Sequence, residues 1–63
     1  MELAEKLIEY LKHVGPSTVE DIVARYETSG GRRIAEAINR ATADGYIVLI
    51  WDHYDELLKY KAL

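Results

Sequence analysis

The sequence predicts a mostly α fold with a C-terminal β-hairpin: three helices followed by two strands. Three observations carry that reading. Apolar residues recur at helical spacing in three stretches, glycine-containing turns separate those stretches, and β-branched and aromatic residues dominate the run Tyr46 to Trp51. A chain of 63 residues suits one domain, spanning 1–63, with one core.

The first helix is expected over about 2–14, where Leu3, Leu7, Ile8, Leu11 and Val14, joined by Ala4 and Tyr10, cover a broad apolar face. Gly15 and Pro16 stop it, since glycine accepts a left-handed backbone and proline cannot continue the helix. The second helix is expected over about 17–26. It opens on Ser17-Thr18-Val19-Glu20, the spacing at which a Ser17 hydroxyl and a Glu20 carboxylate satisfy backbone amides reciprocally. Val19, Ile22, Val23 and Tyr26 then fall at i, i+3, i+4 and i+7.

The turn Glu27 to Gly31 leads into the third helix, over about 30–44, with Thr28 or Ser29 available as its N-cap. Ile34, Ala37, Ile38 and Ala41 form a narrow apolar stripe. At about 100° per residue, Arg32, Glu36, Asn39 and Ala43 point to the opposite side, flanked by Arg33 and Arg40. Asp44-Gly45 ends the helix and the first strand follows over about 46–51. The last stretch reads as a turn at Asp52 to Glu56 and a returning strand over about 57–63. The alternative is a helix from about Tyr54, capped by Asp52, because Tyr54, Leu57, Leu58 and Ala62 also have helical spacing.

Composition narrows the function. The chain lacks cysteine, so neither a disulfide nor a thiolate metal site supplements the core. His13 and His53 have no partner at ligand spacing, and no metal or cofactor is expected. Asp52, His53, Asp55 and Glu56 fall in a turn with no pocket or orienting partner, so the chain does not read as an enzyme. The longest apolar run is far short of the roughly 20 residues that span a bilayer, and the acidic, amphipathic opening Met1 to Glu5 is unlike a secretory leader. An intracellular, cytoplasmic protein without a membrane partner is expected. The net charge is −3, yet residues 28–45 sum to +1 and form the one positive segment, holding Arg32, Arg33 and Arg40.

The order of elements, with Gly15 to Ala24, Arg33 to Ile38, the step Asp44-Gly45-Tyr46-Ile47 and the return Leu58 to Leu63, resembles the winged helix-turn-helix superfamily, which includes MarR-like, ArsR-like and small archaeal or viral regulators. The resemblance implies a sequence-specific, double-stranded DNA-binding transcriptional regulator whose third helix enters the major groove. On this chain it places Arg32, Arg33, Glu36, Asn39 and Arg40 at the DNA, with Thr28, Ser29, Gly30 and Gly31 holding a phosphate at the helix start. The hairpin tip departs from the family pattern, because Asp52, Asp55 and Glu56 stand where DNA-binding wings carry Arg or Lys. Lys59 and Lys61 on the returning strand are the nearest substitutes.

A homodimer is also expected. Val48 and Ile50 alternate to the hairpin face opposite Ile47, Leu49 and Trp51, and a domain this small leaves such a face bare unless something covers it; a second subunit is the simplest cover, and the first helix, with Ile8 and Tyr10 at the borders of its broad face, is the other candidate. The competing expectation is a protein-interaction module that uses the acidic wing and the apolar hairpin face on another protein.

Overall fold

The computed structural model describes residues 1–63. Three helices, α1 (Leu3–Val14), α2 (Val19–Arg25) and α3 (Gly31–Ala43), precede the antiparallel strands β1 (Ile47–Asp52) and β2 (Leu57–Ala62). The arrangement is helix-rich with a wing-like hairpin, as the sequence predicts. No helix is long and apolar enough to cross a membrane.

The apolar spacing of each helix is directed at one core of Leu7, Leu11, Ile22, Ile34, Ile38, Ala41 and Ile47. α1 lies against α3 and β2, and Leu3, Ile8, Tyr10, Tyr26, Tyr60 and Ala62 close the margins. α1 ends where Gly15 takes φ 87° and donates its N–H to the Leu11 carbonyl at 2.9 Å.

The start of α2 is shifted by one residue from the sequence expectation. Thr18, not Ser17, is the N-cap: its hydroxyl accepts from the Asp21 N–H at 3.1 Å, and the Asp21 carboxylate accepts from the Thr18 N–H at 3.2 Å. The same reciprocal spacing is present one position along, with Asp in place of Glu. Ser17 is committed elsewhere. It bridges Tyr60 of β2 through two backbone hydrogen bonds, of 3.0 and 2.8 Å, and its hydroxyl donates to the Gly15 carbonyl at 3.1 Å. The junction between the first two helices is thereby tied to the hairpin.

α2 is held laterally by an aromatic buttress. The Tyr26 hydroxyl donates to the Lys6 carbonyl at 3.0 Å, and the Tyr10 and Tyr26 rings meet edge to face at 5.8 Å. The Arg25 guanidinium lies 5.3 Å from the Tyr26 ring and 5.8 Å from that of Tyr10. Burial raises the Tyr26 hydroxyl above its ordinary pKa, opposed by the Arg25 charge and assisted by Tyr10.

In the hairpin, Ile47 pairs with Ala62, Leu49 with Tyr60, Trp51 with Leu58 and Asp52 with Leu57. The returning segment is therefore a strand. The alternative helix from Tyr54 does not form, although Asp52 does act as a cap: its Oδ1 accepts the Tyr54 and Asp55 amides at 2.8 and 3.1 Å. Those bonds close a turn, because Glu56 swings to φ 54° and redirects the chain into β2.

Candidate nucleic-acid interface

The side chains expected at DNA are carried by α3 and the turn before it. Ile34, Ala37, Ile38 and Ala41 anchor the helix by its buried stripe, leaving Arg32, Arg33, Glu36, Asn39 and Arg40 in solvent. The 100° spacing thus separates the anchoring and outward faces as the sequence predicts.

The helix start differs in detail. Thr28 and Ser29 do not cap α3; with Glu27 they form a single 3-10 turn, and Gly30 is the N-cap without a side-chain hydrogen bond. Gly30 adopts φ 86°, a conformation costly for a residue with a Cβ, and this backbone reversal displaces both hydroxyls from the capping position. The Ser29 and Gly30 amides are used within the turn, on the Tyr26 and Glu27 carbonyls at 2.9 and 3.2 Å. The first helical hydrogen bond runs from the Ile34 N–H to Gly30, so the Gly31, Arg32 and Arg33 amides remain without an internal partner. Nothing lies within 4 Å of where a Cβ would sit on Gly30 or Gly31, so no neighbouring side chain crowds either position.

The cations on this surface are unequally free. Arg33 has no ion-pair partner, and Arg32 is loosely matched by Glu36, with Nε to Oε1 at 3.9 Å. Arg40 is drawn toward α1, where its guanidinium meets the Glu2 carboxylate at 3.3 Å. Sequence spacing allows Glu36 to pair with Arg32 or Arg40; it meets Arg32, and the anion at Arg40 comes from across the fold. Glu2 and Glu36, with Arg33, Arg40, Leu3 and Ala37, line a shallow groove of about 290 Å³ between α1 and α3. The groove is of mixed charge, and each carboxylate in it opposes phosphate approach.

Neither substitute for a basic wing tip is equivalent to a free cation. The Lys59 ammonium lies 2.8 Å from Asp52 Oδ2 and 2.5 Å from Asp55 Oδ2, leaving its side chain 13% exposed. Its pKa is pushed well above the ordinary lysine value, first by the hydrogen bond to Asp52 and then by that to Asp55. The same Lys59 bond is the main cause that lowers Asp52 below the usual carboxylate range. Lys59 therefore fastens the turn, whereas Lys61 is exposed without an ion pair.

This coupling gives a pH prediction. A lowered Asp52 contributes stability present above about pH 4 and lost as pH falls through its depressed value. A raised Lys59 contributes stability fully present below about pH 10 and lost as pH rises through its elevated value. The turn is expected to stay closed between those limits and loosen beyond either. Exchange of the Tyr54 and Asp55 amides, corrected for intrinsic rates, measures this, and Asp52→Asn is expected to flatten the acid limb.

The residues expected at a dimer contact lie differently from the sequence expectation. Ile8 and Tyr10 pack against the chain's own core, and Tyr10 is also engaged by Tyr26 and Arg25. Val48 and Ile50 do alternate to the face opposite Ile47, but both are half-buried. Their cross-strand partners are Lys61 and Lys59, whose aliphatic stems stand on the same face. The bare apolar surface is on the other face, at Leu49, Trp51 and Leu58. Only Ile47, Tyr60 and Ala62 of that face reach the core, all at the end of the hairpin away from its turn. No group of three His, Asp or Glu side chains is clustered to hold a metal ion.

No protein-family model matches the chain, and it matches no curated protein and no solved structure.

Proposed function

We propose that the chain is a sequence-specific double-stranded DNA-binding regulator that presents α3 to the major groove. The observation that carries this reading is the start of α3. Arg32 and Arg33 project into solvent beside three backbone amides with no internal partner, on the only net-positive segment of the chain. Amides and guanidinium groups so placed suit a phosphate, and Arg33 or Asn39 further along suits a guanine or an adenine edge. The helix-rich fold with a wing-like hairpin supports the reading by analogy with winged helix-turn-helix proteins. Because Asp55 and Glu56 crowd the hairpin tip and Lys59 is neutralised, α3 supplies most of the contacts.

Selection of bound duplexes from a random pool at low salt tests this. A short consensus is expected, with binding that weakens steeply as salt rises. A pool that stays unenriched overturns the DNA reading.

A protein-interaction module is the second reading, favoured by the exposed Leu49, Trp51, Leu57 and Leu58 beside an acidic turn. On that reading the unenriched pool is the expected result, and Trp51→Lys disrupts capture of the partner while Arg33→Ala does not.

A further inference from the structure

We infer that the free edge of β1 is a self-association site, pairing antiparallel with β1 of a second copy about a two-fold axis at Leu49. The hydrogen-bond pattern fixes which backbone groups are available. Tyr60 directs both its N–H and its carbonyl to Ser17, away from β1. Its cross-strand partner Leu49 is therefore in a non-hydrogen-bonded pair, and Leu49 directs its own N–H and carbonyl outward. Alternation extends this to Ile47 and Trp51, whereas Val48 and Ile50 bond inward to β2. Ser17 covers the far side of β2, and no turn, loop or cap hydrogen bond reaches β1 from outside.

The devices that normally protect such an edge are missing. From Ile47 to Trp51 there is no proline, no charge and no glycine, and the ladder with β2 runs without a bulge. A two-stranded hairpin is marginal by itself, and pairing two copies makes a four-stranded sheet.

A second copy of this chain fits the edge because the strand is complementary to itself. With the axis at Leu49, Ile47 lies opposite the second copy's Trp51, Leu49 opposite its own equivalent, and Asp52 opposite neutral Tyr46. No like charges oppose one another within the paired strands. The odd-numbered β1 side chains of both copies share the face that carries the helices. Trp51 of each copy is then laid beside the other's Ile47, where the helical body begins.

That placement brings the bare side chains of β1 against the second copy: Trp51 is 50% exposed and Leu49 45%. Half of the 150–250 Å² of a covered aromatic ring puts Trp51 alone at roughly 100 Å² per copy. With a strand edge about 20 Å long, the pair falls toward the lower end of specific interfaces, below about 1,200 Å² in total. The dimer is accordingly reversible, forming at micromolar to millimolar concentration.

Sedimentation of the full chain across that range, with backbone amide exchange at each concentration, tests the site. A monomer-to-dimer transition is expected. Exchange at Leu49 and Trp51 should slow about tenfold when nine-tenths of the chain is paired, while Val48 and Ile50 stay protected throughout. Leu49→Pro removes an outward N–H together with the Leu49 side chain that meets its equivalent, and proline is tolerated on an edge strand, so it should fold and remain monomeric. Trp51→Lys, which alters no core residue, should also weaken association and guards against a folding defect in the proline variant. A chain that stays monomeric at millimolar concentration overturns the inference, as does a dimer whose affinity is unchanged in both variants.

Discussion

Ile22→Ala is expected to destabilise the chain by about 2–5 kcal/mol, which is the range for removing buried branched carbons and leaving a partly relaxed cavity. At about 0.05–0.15 kcal/mol per residue, a chain of this length has only ~3–9 kcal/mol in all, so the variant sits near or beyond its unfolding threshold. The position is exacting because α2 is short. Ile22 is its only buried residue, fully enclosed at 0% exposure, and at its ends α2 is tied to the rest of the fold by the Ser17–Tyr60 bridge and the Tyr26 buttress. Val23→Ala is the matched control, since Val23 is 39% exposed; a loss below about 1 kcal/mol is expected there, because little transfer energy and no cavity are involved. Urea unfolding followed by circular dichroism reads both variants. Equal midpoints for the two would place the core elsewhere.

That contrast also shows what periodicity resolves. Val19, Ile22, Val23 and Tyr26 share helical spacing, and the sequence pattern ranks them equally. How a seven-residue helix packs against its neighbours selects Ile22, and that packing is a tertiary property. In the longer α1 and α3 the stripes are legible, since more turns average the noise and Leu7, Leu11, Ile34 and Ile38 are buried where the spacing places them.

Capping was legible in kind and displaced in position. The stretch Ser17 to Asp21 holds two overlapping capping boxes, Ser17 with Glu20 and Thr18 with Asp21. The choice between them is made by Tyr60, far along the chain, whose backbone engages Ser17. Hairpin polarity shows the same limit. Alternation correctly separates Val48 and Ile50 from Ile47, Leu49 and Trp51, but which face is bare depends on how far along the hairpin the core reaches and on the lysine stems across from Val48 and Ile50. On α3 the outward set was legible by angle, whereas the Glu2 carboxylate on Arg40 was not, because it comes from the opposite end of the sequence order.

Those electrostatic details set the expected order of effects on duplex binding. Removing one phosphate-binding cation should reduce the magnitude of the slope of log K against log salt by about 0.9. Arg33 has no carboxylate partner, so Arg33→Ala should show the full effect, whereas Arg32 is loosely shared with Glu36 and Arg40 is held by Glu2 at 3.3 Å. Arg40→Ala should therefore change the slope least, because the Glu2 carboxylate already offsets the Arg40 charge. If Arg33 meets a guanine edge instead, its loss costs about 1–3 kcal/mol, roughly 5- to 150-fold in affinity, and relaxes sequence preference at one position. Arg33→Lys separates the two cases, because lysine retains the charge and loses the planar fork. A phosphate-binding side chain keeps its salt slope in the lysine variant, and a base-reading one does not recover its specificity. Binding that is unchanged in both Arg32→Ala and Arg33→Ala removes α3 as the reading element. The salt series is best started at about 50 mM, because the chain's net charge of −3 repels the duplex as a whole and screening at higher ionic strength erodes the local attraction that α3 provides.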